Sequence, residues 1–262
     1  MDFLVTGDRS VFFYILLLLL VAGVLQCLSV GGLFFFKRSG DWRSNWSFGL
    51  LLMLFALTLL HNIFNFVSIY EHYPWMYFLP LYYTLSFPVL LFFHVKLGLY
   101  PSYRLRWTDA KHFIMPAGQL LFFLILFLQP VSVKAEVGRI YYNPFYGAFE
   151  QGLYLFSFFA YLYFSHRYIR QRRLAAYAKR QTKELRKILY LRTLIRVLLV
   201  LFVIHTVFVL TDFVYFEFLK IDLRAVKPYV ALGMLSFAAL GYWMGTYGFQ
   251  VLFWGRKVFG KR

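Results

Sequence analysis

The sequence predicts an all-α, polytopic membrane protein: a bundle of seven transmembrane helices with its N-terminus outside and its C-terminus inside the cell. Of 262 residues, 61% are hydrophobic and only 15% are charged, whereas soluble domains carry about 25% charged residues. The mean hydropathy is +0.63. Apolar runs of about 20 residues recur along the chain, and a hydrocarbon core of roughly 30 Å requires that length of each crossing helix. This composition excludes a soluble enzyme, a disordered chain and a disulfide-stapled secreted domain.

Seven apolar segments define the predicted helices. The first is longer than the apolar core of a signal peptide, which has about 7–15 residues, and Lys37-Arg38 follows it instead of a cleavage site. We therefore interpret it as a retained helix. Pro80 and Pro88 predict a kink in the third segment, because proline removes a backbone donor. The predicted helices span residues 11–36, 47–68, 75–97, 112–133, 146–168, 193–216 and 229–254 of a single membrane domain, 1–262.

The number of lysine and arginine residues is high in every second predicted loop and low in the loops between them. Loops 1, 3 and 5 and the C-terminal tail are basic, whereas loops 2, 4 and 6 are nearly balanced. Because positively charged loops stay in the cytoplasm, this pattern sets the orientation and predicts a multi-pass protein of the bacterial inner membrane. The same rule accounts for the formal net charge of +17. Membrane lipids are therefore expected partners, and direct binding of nucleic acid is not expected.

The basic cytoplasmic loop 167–196 holds eleven Lys and Arg residues against the single acid Glu184. Leu174, Leu185 and Ile188 recur there at helical spacing, so helices 5 and 6 are predicted to extend past the bilayer. The loop is either a solvated helix pair or a docking face for a partner protein. The candidate docking residues are Arg172, Arg173, Lys179, Arg180, Lys183, Arg186 and Lys187.

Signatures of membrane enzymes are absent from the sequence. There is no His-Glu-x-x-His motif and no Gly-x-Ser-x-Gly nucleophile motif. The six histidines are scattered singly, and the last helix has no lysine for a retinal Schiff base. We therefore expect no enzymatic activity, no metal site and no cofactor.

Five polar residues inside the predicted helices form a candidate ligand site in the outer half of the membrane: His61, Asn65, Glu150, His205 and Asp212. His61 and Asn65 are four residues apart, and His205 and Asp212 are seven apart, so each pair shares a helix face. Polar side chains are costly in lipid and usually face the bundle interior. The set forms either interhelical hydrogen bonds or a pocket for a ligand or ion. A histidine–carboxylate pair there would respond to external pH.

The last predicted helix also contains a motif of small residues. Gly241 and Gly245 are four residues apart, a spacing that lets another helix approach closely. We expect this face to pack within the bundle.

Several stretches resemble a known family. They read Phe-Pro-Val-Leu-Leu-Phe-Phe-His-Val-Lys (87–96), Tyr-Arg-Leu-Arg (103–106), Lys-His-Phe-Ile-Met-Pro (111–116) and Gly-Tyr-Trp-Met-Gly-Thr-Tyr-Gly-Phe-Gln (241–250). These are similar to the seven-helix membrane sensor domain that precedes an AraC-type helix-turn-helix DNA-binding domain in bacterial regulators. The resemblance covers helices 2 to 7, with Phe87 in place of the usual Gly and Met115 inserted before Pro116. It implies a sensor fold, here without the DNA-binding domain, and it brings no pocket residues with it.

The sequence thus predicts a non-enzymatic sensor or accessory subunit that works through a partner by way of its basic loop. The partner would be another membrane, envelope or cytoplasmic regulatory protein. The alternative is a structural or assembly subunit of a larger envelope complex that binds no ligand. A third possibility is a small transporter or a lipid-modifying enzyme.

Overall fold

The computed structural model describes residues 11–36, 41–138, 147–221, 223 and 226–259, without the side chains of Lys183, Glu217, Lys227 and 254–259. The described part is helical and contains no β-strand, which confirms the predicted all-α class. Its α-helices are α1 (Val11–Phe36), α2 (Trp42–Phe66), α3 (Ile69–His72), α4 (Ser86–Leu99), α5 (Ile114–Phe127), α6 (Val131–Val137), α7 (Gly147–Ala178), α8 (Thr182–Glu217) and α9 (Lys227–Phe259).

Four of the described helical segments are long and apolar enough to cross a membrane: Val11–Phe36, Trp42–Phe66, Trp107–Phe127 and Glu184–Phe216. They agree with the membrane protein that the composition predicts. The helix α4 is apolar but has only 14 residues. The helices α7 and α9 have 32 and 33 residues and are not among these four segments.

Six helices pack side by side in a closed ring. The order of contacts is α1, α2, α4, α7, α8 and α9, and α9 packs against α1 to complete the ring and also contacts α2. The helix α5 lies outside the ring, beside α4 and the segment that precedes it. The ring has two ends. We call the end that carries the α7–α8 turn the hairpin end. The opposite end, at which α2 and α8 reach their last residues, is called the cavity end.

The third predicted helix is helical over only part of its length. A short 3₁₀ helix, Pro74–Met76, is followed by an irregular segment, 77–85, and α4 begins at Ser86. Pro80 cannot donate to a helix, and Phe78 has a left-handed φ of 60°. Pro88 is tolerated because it lies in the first turn of α4, where no intrahelical donor is needed. The two prolines predict a kink in the third helix, but the structure shows that the helix is completely interrupted there.

The fourth predicted helix is also divided. A 3₁₀ helix, Trp107–Phe113, continues directly into α5, which ends at Phe127, and the short helix α6 begins after Pro130. The residue preceding a proline is disfavoured in helical conformation, which explains why α5 does not continue to residue 133.

The basic loop is almost entirely helical. The helix α7 continues to Ala178 and α8 begins at Thr182, so only residues 179–181 form the turn. Arg180 takes a left-handed φ of 52°, which reverses the chain direction within this short turn. The helices therefore form a continuous antiparallel hairpin that carries the basic residues on both arms.

The contact of α9 with α1 and α2 leaves no room for a side chain at three glycines of α9. A Cβ atom added at Gly241 would lie 2.6 Å from Cε1 of Phe55, and one at Gly248 would lie 2.7 Å from Cγ1 of Val30. At Gly245 the nearest atom would be in Gln26, at 2.9 Å. Side chains of α1 and α2 therefore occupy the space that a Cβ atom would need at these positions, so the small-residue motif packs within the bundle as expected.

Candidate ligand cavity

A cavity of about 270 Å³ lies inside the cavity end of the ring, between α2, the irregular segment, α7, α8 and α9. This is roughly nine times the ~30 Å³ that one liquid water occupies, so the space suits a small molecule. Aromatic and aliphatic side chains form part of its wall, including Phe208, Val209, Met234 and Phe237. Its polar lining residues are Thr58, Asn62, Tyr82, Thr84, Gln151, Tyr154, His205, Asp212 and Tyr229.

His205 is a buried lining residue on α8. Its Nδ1 lies 3.0 Å from Oγ of Ser236, and that hydroxyl donates its hydrogen to the carbonyl of Gly233 at 2.6 Å. Because a serine hydroxyl has a single hydrogen, Nδ1 of His205 must donate to Ser236 in this arrangement. We therefore assign a hydrogen to Nδ1 of His205.

Asp212 lies two turns further along the same face of α8 and contributes a carboxylate to the cavity wall. Tyr229 of α9 is close enough to interact electrostatically with this carboxylate. Its hydroxyl donates to the carbonyl of Phe208 and so ties α9 to α8 beside the cavity. Asp212 is the only acidic residue among the lining residues that the structure describes.

Glu150 lies behind the cavity wall and does not line it. Its carboxylate accepts a hydrogen bond from Nε2 of Gln119, which also donates to Oγ1 of Thr84 at 3.1 Å. Oε1 of Gln119 accepts from the backbone N–H of Leu85 at 3.1 Å. Gln119, Thr84 and Glu150 are all about 2% exposed. This buried network fastens α5 and the irregular segment to α7.

His61 and Asn65 form a separate hydrogen-bonded group on α2. Nδ1 of His61 lies 2.7 Å from the Tyr70 hydroxyl, and Nε2 lies 3.1 Å from Nδ2 of Asn65. Neither residue lines the cavity. The neighbouring face of α2 does so through Thr58 and Asn62, which are four residues apart.

The structure therefore brings two of the five predicted site residues into the cavity, His205 and Asp212. It places Glu150 in the adjacent network, and it places His61 and Asn65 outside. Sequence reasoning left out Thr58, Asn62, Tyr82, Thr84, Gln151, Tyr154 and Tyr229. The spacing of Thr58 and Asn62 carries a detectable signal, because both are polar at i and i+4 on an apolar helix.

The cavity combines one carboxylate with several aromatic rings and neutral hydrogen-bonding groups. Such a lining suits a small polar or cationic molecule, because aromatic faces and a carboxylate both attract positive charge. Within the described ranges, no group of three or more His, Cys, Asp or Glu side chains comes together as a metal site would require.

The predicted docking residues occupy the hairpin end. Arg172 is paired with Glu184 at 2.5 Å across the hairpin, and its guanidinium lies 5.4 Å from the centre of the Tyr100 ring. Arg172 therefore helps to hold the hairpin against the loop that follows α4. Arg173 and Lys187 are half-buried, whereas Lys179, Arg180 and Arg186 are exposed. The side chain of Lys183 lies outside the described residues.

A second buried polar cluster fastens the loop between α4 and α5. Asp109 accepts hydrogen bonds from the Tyr103 hydroxyl at 2.8 Å and from the backbone N–H of Arg106 at 2.8 Å. Nζ of Lys96 lies 3.4 Å from this carboxylate and 3.8 Å from the centre of the Tyr103 ring. The groups satisfy one another, so we interpret the cluster as structural.

Known proteins offer no direct guide to this arrangement. In comparisons of the chain with protein-family models, curated proteins and solved structures, no significant match is found.

Proposed function

We propose that the protein is a seven-helix sensor, or sensing accessory subunit, of the bacterial inner membrane. In this proposal its N-terminus is outside, its C-terminus is inside, and the cavity opens toward the outer face. A small polar or cationic ligand binds beside His205 and Asp212 and changes the position of α8. The hairpin passes this change to a membrane, envelope or cytoplasmic regulatory protein.

The seven-span arrangement is supported by the ring. The four long apolar segments include α1, α2, α8 and the run that contains α5. The helices α4, α7 and α9 pack between them as members of the same ring. The alternation of basic and balanced loops supports the orientation.

The observation that carries the proposal is the continuity of α8. This single helix of 36 residues begins at the hairpin turn and ends beyond the cavity. At 1.5 Å per residue it is about 54 Å long. A helix is stiff along its axis, so a displacement beside Asp212 is carried to the hairpin arm. A ligand biases the equilibrium only to the extent that it binds one position of α8 better than the other.

The test compares partner capture by four forms of the tagged, full-length protein from native membranes in mild detergent: the wild type and three variants. Gly233→Leu fills the cavity, because a side chain at Gly233 meets open space. Gly118→Leu is its control, since Gly118 also has nothing within 4 Å and does not line the cavity. The fourth form replaces Lys179, Arg180 and Arg186 with Gln.

If the protein is a sensor, we expect the wild type to capture a stoichiometric partner, and we expect the variant with the three Gln replacements in the hairpin to lose it. We also expect that Gly233→Leu changes the captured amount and that Gly118→Leu does not. A partner that depends on the hairpin but is indifferent to Gly233→Leu would instead make the protein a structural or assembly subunit without a ligand. The absence of any stoichiometric partner would contradict both.

A small transporter is the second candidate, and the irregular segment favours it. Transporters bind substrates beside interrupted helices at mid-membrane, and residues 77–85 interrupt a helix beside this cavity. A single cysteine at position 62, in a Cys27→Ser background, separates the candidates by labelling with a membrane-impermeant thiol reagent. A transporter exposes Asn62→Cys to reagent from either side of vesicles, whereas a sensor exposes it from the outside only. Lys179→Cys, labelled only from the inside, checks the vesicle orientation.

A further inference from the structure

Basic side chains converge on one face of the α7–α8 hairpin. On α7, His166, Arg170 and Arg173 are spaced at i, i+4 and i+7, which aligns them on one face. On α8, Arg192 and Arg196 are four residues apart. The two helices are antiparallel and packed together, and the charges of all four arginines act on His166. Arg192 in turn interacts with both Arg173 and Arg196. We call these five residues the arginine face.

No carboxylate balances the arginine face within the described part of the chain. The charged groups that act on His166 are all arginines, and those that act on Arg192 are two arginines and Tyr177. Glu184 is engaged with Arg172 instead. Nε of Arg173 is shielded from solvent and has no hydrogen-bond partner among the described groups. Four like charges held together on two packed helices repel one another, so an anion between them would relieve this repulsion.

The arginine face borders directly on lipid-facing surface. Along α8, Arg196 is followed at helical spacing by Val200, Val203 and Val207, which are all exposed. Along α7, Tyr163 and Phe156 precede Arg170 on the same exposed stripe. Apolar side chains so exposed contact acyl chains in a membrane protein. The arginines therefore lie where the apolar stripes end, at the depth of lipid headgroups.

We propose that the arginine face binds the phosphate of an anionic phospholipid, with the acyl chains along the stripe that begins at Val200. Arginine suits this role because its planar guanidinium binds two phosphate oxygens at once. The bound lipid bridges α7 and α8 where the hairpin leaves the bundle. This inference is independent of the ligand cavity and of any protein partner.

The test measures lipid binding to the purified full-length protein by native mass spectrometry. The probes are dioleoylphosphatidylglycerol, dioleoylphosphatidylcholine and inorganic phosphate. Arg192→Gln with Arg196→Gln removes half of the arginines, and Arg104→Gln with Lys111→Gln is the control, because it removes the same charge from exposed positions in another loop. Size-exclusion profiles verify folding, and Arg170→Gln with Arg173→Gln replaces the first variant if that one does not fold.

We expect the wild-type protein and the control variant to prefer phosphatidylglycerol over phosphatidylcholine. Each basic residue near a headgroup contributes about 1 kcal/mol, so loss of two should weaken phosphatidylglycerol binding roughly tenfold or more. Equal binding by the wild type and the arginine variants would overturn the proposal. If inorganic phosphate binds with the same arginine dependence while phosphatidylglycerol has no advantage over phosphatidylcholine, the site is for a free anion and the lipid assignment is wrong.

Discussion

The glycines in the two halves of α9 have different surroundings: those in one half are closely packed, and the one in the other half borders open space. Toward the hairpin end, Gly241, Gly245 and Gly248 let the backbone pack against α1 and α2 with no room for a Cβ atom. Toward the cavity end, Gly233 has no neighbouring atom within 4 Å of an added Cβ and leaves space open. One half of the ring is therefore held by close packing, and the other encloses a volume and is held by hydrogen bonds. A glycine in a membrane helix indicates close packing only when its neighbours are known.

The largest expected effect is at the packed half. Gly241→Leu should lower the free energy of unfolding by about 3 kcal/mol, because overfilling a packed core displaces its neighbours. Phe55 cannot move aside, since its ring is 4.5 Å from the Phe237 ring and 5.0 Å from the Phe87 ring. The measurement is the unfolding midpoint in an SDS titration of the purified protein in micelles, with Gly118→Leu as the control. A Gly241→Leu protein as stable as the control would remove the distinction between the halves.

The hydrogen-bonded half should respond to loss of a polar side chain. Gln119→Leu leaves the backbone N–H of Leu85 and the carboxylate of Glu150 without their amide partner in a buried position. An unsatisfied buried polar group costs about 1–3 kcal/mol, and we expect a loss near 2 kcal/mol. Gln129→Leu is the matched control, because the Gln129 side chain is exposed and its hydrogen bond to the carbonyl of Ile125 is long, at 3.4 Å. Equal stabilities of the two variants would show that the network does not hold this half.

The open space at Gly233 predicts a small effect of the opposite sign. Gly233→Leu should stabilise the protein by up to about 1 kcal/mol, because leucine is a better helix former than glycine. The same SDS titration should place it beside Gly118→Leu and far from Gly241→Leu. Destabilisation of Gly233→Leu beyond that of Gly118→Leu would mean that the cavity is not open to a side chain.

The smallest expected effect concerns a single buried hydrogen bond at the cavity end, between Lys134 and Trp75. Nζ of Lys134 is buried and donates to the carbonyl of Trp75 at 2.7 Å, and burial lowers the pKa of this amino group. The folded protein thus binds the proton less tightly than the unfolded chain does. Stability should therefore rise as the pH increases from neutral toward 10.5, the ordinary value for lysine. Lys134→Met should remove this rise, measured as the difference in unfolding midpoint between about pH 8 and about pH 10. A wild-type slope identical to that of the variant would contradict this.

Much of the fold follows from the sequence, because apolar length and proline are local signals. The long runs of α1 and α2 and the helical spacing across residues 167–196 are visible without a structure. The interruption at 77–85 is only partly visible, since Pro80 predicts a disturbance but not its extent. The length of the interruption depends on side chains from other helices. Thr58 and Gln119 accept hydrogen bonds from the backbone N–H groups of Tyr83 and Leu85, which have no helical partner there.

The site is less predictable because it depends on helix rotation. Successive residues on a helix are about 100° apart, so Asn62 faces the cavity while His61 next to it binds Tyr70. The predicted depth in the membrane, which rests on the loop charges, does not distinguish these two residues. His205 and Asp212 are predictable because both are polar on one face of a strongly apolar helix. Glu150 lies in the network behind the cavity wall, whereas its neighbour Gln151 lines the cavity.

The closure of the ring by α9 has a consequence for the order of synthesis. Nε2 of Gln26 donates a hydrogen bond to Oγ1 of Thr246 across the α1–α9 contact. These two residues are 220 positions apart in the chain. At a translation rate of about 5–20 residues per second, roughly 10 to 45 seconds separate the synthesis of these two residues. During that interval the faces of α1 and α2 that receive the glycines of α9 have only lipid, or another protein, to cover them. The nascent chain is therefore most open to a membrane chaperone, and to mispairing with other helices, before its last helix is made.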